Sequence, residues 1–351
     1  MKEAFVRVFG GGAFVVASAP GRVNLIGDHT DYADGFCLPM PLNLKTEVAV
    51  AASDEFSAFS LSNDEMKRFD PAASAQGNWS DYVAGPIRVL QEAGIDVPPL
   101  NVLIRSAVPQ GAGVSSSAAL EVAVIRACLA FVGAELPDAE IARLAQRAEN
   151  SYCGLQCGIL DQMACAVGRP GQALLLDCRI NEGRLVGVPR GFHFVVLHCG
   201  QERKLVDGAY NQRRAAVEKA AGVLGVPALR DATPEMVETG LDDPELRKRA
   251  RHVVSENLRV LAAVDALQMG DVAGFGKLMT ESHWSLARDY EVSTPALDRL
   301  VESVLAHGAV GARLTGAGFG GCIVALAHPG DLAGMLMGVA AANPSSWVVQ
   351  M

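Results

Sequence analysis

The sequence predicts a two-domain protein of mixed α and β structure, and three observations carry that expectation. The 351 residues correspond to roughly two domains at about 150 residues each. Hydrophobic residues make up 50% of the chain and charged residues 20%, a balance that buries a core and excludes a disordered chain. Strand-like alternation and helical spacing interleave along the chain, so the class is α/β or α+β.

The elements follow in order. Residues 14–19 (FVVASA) read as a strand that delivers a turn at Pro20-Gly21. Residues 44–52 and 56–61 read as strands separated by Ser53-Asp54-Glu55. Residues 81–93 have helical spacing despite Pro86, and 100–106 alternate as a strand that runs into Val108-Pro109. From Ser115 to Phe131 apolar residues recur at helical spacing, and residues 138–151 start another helix with Asp138 as its N-cap. Residues 192–198 read as a buried strand, followed by a long helix with a basic patch near 205–224. A further helix over 244–269 starts after Asp243-Pro244, and 309–315 and 322–327 form two strands around a Gly-rich turn. A boundary near residue 180, punctuated only by Gly183 and Pro189, gives expected domains of 1–180 and 181–351.

Charge and cysteine usage narrow the function. Lys and Arg number 30 against 39 Asp and Glu, a net charge of −9, which argues against a nucleic-acid partner. A local glycine nest still holds phosphate whatever the global charge. No run of about 18 apolar residues occurs, so no membrane partner is expected. The Met-Lys-Glu start leads into no long apolar region, so no signal peptide is expected. Eight cysteines form no CxxC pair, and a reduced, cytoplasmic protein is expected.

Three segments carry chemistry. In the first, Pro20 to Asp31 (PGRVNLIGDHTD), a strand delivers a turn that crowds Arg22, Asp28, His29 and Asp31. Two carboxylates, an imidazole and a guanidinium suit a polyol, because charge-assisted hydrogen bonds to hydroxyls are the strong ones. A solvated polar turn would also carry such a run. In the second, Pro109 to Ala118 (PQGAGVSSSA), Gly111 and Gly113 let backbone approach an anion at a helix start. Ser115, Ser116 and Ser117 add hydroxyls that can donate to phosphate or ligate magnesium. No Lys follows the glycines, so this is neither a Walker A loop nor GxGxxG; the bland alternative is a Ser-capped helix start. The third, Leu314 to Cys322, has four glycines in six residues and fits a binding loop or a close-packed turn equally. Between them lie Glu149 and Asp161, the latter in apolar company (CGILDQMACAV). A carboxylate there is paired, shifted or functional.

On these residues the sequence resembles the GHMP kinases, and more narrowly their galactokinase branch. Residues 19–39 match the galactokinase signature, 109–120 the family's phosphate loop and 314–322 its third motif. Residues 148–163 match the segment that ends in the catalytic Asp, and 203–214 the segment whose Tyr touches the sugar. The resemblance implies an α+β fold with an N-terminal α/β domain, a ferredoxin-like C-terminal domain and an active site in the cleft between them. It implies ATP-dependent phosphorylation of the anomeric hydroxyl of D-galactose, with ATP and Mg²⁺ as cofactors and a monomer in solution. The alternatives are a kinase for a related sugar such as N-acetylgalactosamine, or a sugar and ATP sensor without turnover; intact Ser117 and Asp161 weigh against the sensor.

Carried over residue by residue, Asp161 would be the base and Arg22 would stabilise it and the transferring phosphoryl group. Ser117 and Glu149 would hold Mg²⁺. Gly111, Ala112, Gly113, Val114, Ser115, Ser116 and Ser117 would cradle the ATP phosphates, with Ser62 and Trp79 on the adenine side. Asp28, His29, Thr30, Asp31 and Tyr210 would bind the sugar. Position 28 is Asp where galactokinases usually carry Glu.

Overall fold

The structure, a computed structural model, describes residues 1–189, 191–201 and 208–350. In chain order its elements are α1 (Lys2–Phe9), β1 (Val15–Asn24), β2 (Phe36–Cys37), β3 (Pro39–Ala52), β4 (Ser57–Ser60), β5 (Glu65–Arg68), α2 (Asp81–Glu92), β6 (Leu100–Ser106), α3 (Ser116–Val132), α4 (Asp138–Ser151), α5 (Leu160–Val167), β7 (Gln172–Asp177), β8 (Glu182–Gly187) and β9 (His193–His198). They continue with α6 (Ala209–Leu224), α7 (Pro234–Gly240), α8 (Pro244–Met269), α9 (Val272–Ser285), a π-helical turn (Leu286–Tyr290), α10 (Pro295–Ala306), β10 (Gly311–Leu314), β11 (Cys322–Ala327), α11 (Pro329–Ala342) and β12 (Trp347–Gln350).

Contacts divide the chain into two interleaved units. The first comprises residues 1–22, 42–109 and 115–167; the second comprises 23–41, 110–114 and 168–351. The expected single cut after residue 180 is thus not how the contacts partition. Residues 23–41 of the signature segment and 110–114 of the phosphate loop count with the second unit, and Ser115 onward with the first.

The first unit is built on a mixed sheet ordered β1-β3-β6-β4-β5, in which β3 runs antiparallel to β6 and β4 parallel to it. Helix α1 closes one side through Phe5 on Ala49, Ala51 and Leu103. Helices α2, α3, α4 and α5 pack on one another. Helix α3 is apolar nearly all round and buried along most of its length, with Glu121 the one charged residue sealed inside. Pro86 lies in the first half of α2 without ending it. Asp138 is the first residue of α4 rather than its cap: Pro137 holds the cap position and makes no side-chain bond, and Asp138 instead pairs with Arg126 at 2.7 Å.

The second unit carries an antiparallel sheet ordered β10-β11-β9-β12 and a smaller one ordered β2-β7-β8. Its core joins Val195 and Leu197 of β9 and Ile323 and Ala325 of β11 to Val253 of α8 and Val301 of α10. Helix α8 begins where the sequence places it: the Asp243 carboxylate accepts from the Glu245 and Leu246 amides, and Pro244 fills the first helical position. The expected helix near 205–224 is α6 from Ala209; its first residues, with 203–207 of the sugar-contacting segment, lie outside the described residues. Helices α7, α9, α10 and α11 and strands β5, β7, β8 and β12 were not anticipated from periodicity. Short strands such as β5 and β12 offer too few alternations to register as a pattern.

Candidate functional site

The first unit concentrates carboxylates. Arg22, near the end of β1, donates from Nε to Asp161 Oδ1 at 2.8 Å, and its Nη2 reaches the same oxygen. Asp161 sits in the first turn of α5, and Arg22 is nearly fully buried. Arg126 of α3 fixes the geometry. It donates to the carbonyls of Ser18 on β1 (3.1 Å) and Ala166 on α5 (2.8 Å), tying together the elements that carry the pair.

Beside Asp161 lie two further buried acids. Burial, then the Asp161 charge, pushes the Glu149 carboxyl up to about 7, while hydrogen bonds from Cys157, Ser117 and Gln162 work in the opposite direction. Burial and the facing Glu149 hold Glu121 well above the ordinary carboxylate range. Gln162 Nε2 donates to Glu149 Oε2 at 2.5 Å and lies 3.4 Å from Glu121 Oε2. Glu121 Oε1 and the buried Ser115 hydroxyl have no hydrogen-bond partner. Ser115 holds a left-handed conformation (φ 61°) as α3 begins, and its side chain makes no capping bond, so the Ser-capped reading of this helix start fails. Three acids share one bonded arginine, so Glu121 and Glu149 hold protons more tightly than ordinary carboxyls, and Ser117 and Glu149 offer hard oxygens. That donor set fits a divalent cation such as Mg²⁺, which takes one or two protein oxygens beside phosphate and water. Ser62 is exposed in the turn between β4 and β5, and Trp79 donates from its indole to Glu65 Oε2 at 2.7 Å.

In the second unit, residues 24–37 form a turn bolted to α8 and β10. Gly27 N donates to Glu256 Oε1 (2.8 Å), His252 Nε2 meets the Asp28 carbonyl (3.1 Å), and Phe36 N donates to Asn257 Oδ1 (2.8 Å). A Cβ on Gly27, whose φ is +95°, would sit 2.7 Å from the Phe36 carbonyl, so only glycine fits there. The Thr30 hydroxyl is committed to the carbonyls of Gly27 and Phe36, within the turn. Asp28 pairs with Arg313 of β10 at 2.7 Å, both buried. Burial alone would raise the Glu256 carboxyl, yet Arg259, His252 and Arg313 hold it at about 2; burial lowers His252 to about 4.

His29 is caged by aromatic rings. Its Nδ1 is 2.7 Å from the Tyr32 hydroxyl, which lies 2.7 Å from the Tyr290 hydroxyl of the π-helical turn. The Tyr210 ring lies 5.8 Å from His29 and 5.6 Å from Tyr32. Asp31 opens the short helical turn that follows.

The loop 110–114 also belongs to this unit and rests on the third glycine motif. A Cβ on Gly316 would lie 2.9 Å from the Gly113 carbonyl, and one on Gly321 2.9 Å from that of Ala112. The third motif is therefore a close-packed bed for the loop carrying Gly111, Ala112, Gly113 and Val114. Sequence reasoning passed over Arg126, Gln162, His252, Glu256, Asn257, Tyr290 and Arg313. A signal existed on α8: four polar residues, at 249, 252, 256 and 257, are buried among its apolar ones.

Comparison with known proteins identifies the family and the fold. The GHMP kinases N terminal domain matches residues 81–169, the GHMP kinases C terminal domain residues 263–336, and the galactokinase galactose-binding signature residues 3–52. The structure of Lactococcus lactis galactokinase complexed with galactose superposes with a TM-score of 0.94 at 32% identity, covering 100% of this chain and 97% of that one. Methanococcus jannaschii mevalonate kinase shares the fold, with a TM-score of 0.72 at 21% identity over 94% of this chain and 96% of its own. Streptococcus pneumoniae phosphomevalonate kinase does likewise, with 0.71 at 14% identity over 96% and 98%. With its signature turn, phosphate loop and Arg–Asp pair all in the matched segments, the chain belongs to the galactokinases of the GHMP kinase family and is an ATP-dependent sugar kinase.

Proposed function

We propose that the protein transfers the γ-phosphoryl group of ATP to the anomeric hydroxyl of D-galactose, giving α-D-galactose 1-phosphate and ADP. The Arg22–Asp161 pair carries this reading. Asp161 orients the anomeric hydroxyl and accepts its proton late in the transfer, since a carboxylate is a weak base toward an alcohol. Arg22 holds the Asp161 carboxylate by two N–H bonds and faces the charge spread over the transferring group, and phosphoryl transfer asks mostly for such positioning and neutralisation. Asp28, His29, Asp31 and Tyr210 form the sugar site, with Thr30 holding the turn. Residues 111–117 receive the ATP phosphates, and Ser62 and Trp79 lie toward the adenine. Ser117 and Glu149 would hold Mg²⁺, which when bound offsets phosphate charge. Eight thiols with no disulfide among them support a cytoplasmic protein. None of the described helices is long and apolar enough to cross a membrane. A monomer is the proposed solution state, checked by sedimentation.

The test is ADP release with ATP and galactose, N-acetylgalactosamine, glucose and mannose in parallel. Galactose is expected to give the highest kcat/KM. A preference for N-acetylgalactosamine, or no ADP release with any sugar, would overturn the proposal.

A further inference from the structure

We infer that Arg313 is the positioning residue of the sugar site and that its ion pair with Asp28 fixes galactose recognition; this rests on the galactokinase reading above. Arg313 is fully buried on β10. Its Nη2 is 2.7 Å from Asp28 Oδ2 and its Nη1 donates to the Asn24 carbonyl at 3.3 Å. One planar guanidinium therefore grips both ends of the stretch 24–28, a geometry that a lysine's point charge does not reproduce. Two residues along the chain, Thr315 accepts from the Asn24 amide at 2.8 Å, so β10 and the residue following it fix the entry to the turn.

The local charge balance makes the pair specific. Among the described residues, Arg313 of β10 bonds the Asp28 carboxylate and His252 of α8 its carbonyl, with His29 and Asp31 on the same turn and Glu256 and Arg259 of α8 beside Arg313 and His252. Glu256 already bonds Arg259 at 2.7 Å and lies 3.9 Å from Arg313. Asp28 is thus the carboxylate directly bonded to Arg313. Removing one partner of a buried pair leaves the other charge uncompensated, and the turn 27–31 shifts to relieve it. Because that turn carries His29 and Asp31, the shift falls on sugar affinity. Asp at position 28 suits this role: its Oδ2 meets the arginine directly, whereas Glu would carry its carboxylate one methylene further.

The experiment compares full-length wild type with Arg313→Gln, Arg313→Lys, Asp28→Asn and the double variant Asp28→Asn/Arg313→Gln, measuring KM for galactose and for ATP from pH 6 to 9, with thermal melts. Wild-type turnover of galactose checks the underlying reading separately. Arg313→Gln is expected to raise the galactose KM about tenfold or more with the ATP KM within about twofold, as for loss of one partner of a buried pair. The Asp28 carboxyl left behind now resists ionisation, so the galactose KM rises further as pH increases and expels it from its site. The double variant lacks that group, so its galactose KM lies above wild type but follows the wild-type pH dependence. Arg313→Lys falls between. If Arg313→Gln does not fold, the double and Lys variants carry the test. Parallel shifts in both KM values, a double variant with wild-type galactose KM, or one that keeps the pH dependence of Arg313→Gln would each overturn the inference.

Discussion

The carboxylate cluster of the first unit and the sugar turn of the second hold similar numbers of buried charges in opposite ways. Around Asp28, each buried acid meets a cation inside the protein: Asp28 meets Arg313 and Glu256 meets Arg259. Around Glu149, three acids crowd together and one arginine answers. The acids of the turn meet their cations within the fold, whereas the acids of the cluster lack enough cations and hold protons instead. Burial with a partner depresses a carboxyl's pKa and burial among like charges raises it, and Glu256 at about 2 and Glu149 at about 7 show the two outcomes in one chain. A preorganised turn suits a neutral sugar, and acids that give up a proton when a cation arrives suit a metal–nucleotide complex.

The largest expected effect bears on the pair that the cluster does neutralise. Asp161→Asn is expected to lower kcat by about 10²–10⁴ with ATP binding and melting temperature retained, because a proton acceptor and orienting group is lost. Single-turnover kinetics and a nucleotide titration check it. Turnover within about threefold of wild type would remove Asp161 from the base role.

Next comes a contrast in stability. Glu256→Gln strips the compensating charge from Arg259 and Arg313 and weakens the bond to the Gly27 amide, and is expected to cost about 3–5 kcal/mol. Glu121→Gln replaces a buried carboxyl that resists ionisation with a neutral group of the same shape and, without metal, is expected to be neutral or stabilising. Denaturant melts of both variants in EDTA give the comparison directly. Equal destabilisation would mean that the two regions are not electrostatically distinct.

The pH responses should also oppose. Between about 4.5 and 7 the native Glu149 holds a proton that the unfolded chain has lost, so metal-free stability contributed there falls as pH rises and levels off above about 7. His252 reverses the sign: between about 6.5 and 4 the unfolded chain binds a proton that the native site refuses, so stability falls as pH falls. Glu256 extends that loss as pH drops from about 4.5 toward 2. Hydrogen exchange corrected for intrinsic rates is expected to show α3–α5 losing protection toward neutral pH and α8 losing it toward acid. The same trend in both regions would break the comparison.

The two regions also differed in how far the sequence disclosed them. Arg22, Asp28, His29, Asp31, Ser117, Glu149 and Asp161 stand in short, dense runs whose residue types announce polyol and phosphate chemistry. The residues that hold them do not. Arg313 lies 285 positions from Asp28 in sequence, and His252, Glu256 and Asn257 interrupt a long helix that reads as ordinary surface and core. Contacts of that separation follow from topology, which local periodicity cannot supply. Gln162 and Glu121 were hidden for a related reason: each sits in an apolar run, where one polar residue per turn does not change the period. The interleaved units escaped notice because crossings fall inside strands β1 and β3 and within the phosphate loop, with no change of composition to mark them.

The smallest expected effect probes how the cluster is completed. The Ser117 hydroxyl is hydrogen-bonded to Glu149 and works to lower its pKa. A neutral hydroxyl contributes less to a hard dication than a carboxylate does, and water can take its coordination place. Ser117→Ala is therefore expected to weaken the apparent Mg²⁺ affinity only about three- to tenfold, less than Glu149→Ala does, with the galactose KM unchanged. Losing the hydroxyl also removes a group that favours the ionised Glu149, so protons should compete better with the metal. The Mg²⁺ requirement of Ser117→Ala should then steepen between pH 8 and 6 relative to wild type. Magnesium titrations of turnover and of nucleotide binding at pH 6, 7 and 8 read both effects. A wild-type magnesium dependence at all three would take Ser117 out of the metal site, and a matching shift in galactose KM would show that the substitution disturbed the sugar turn instead.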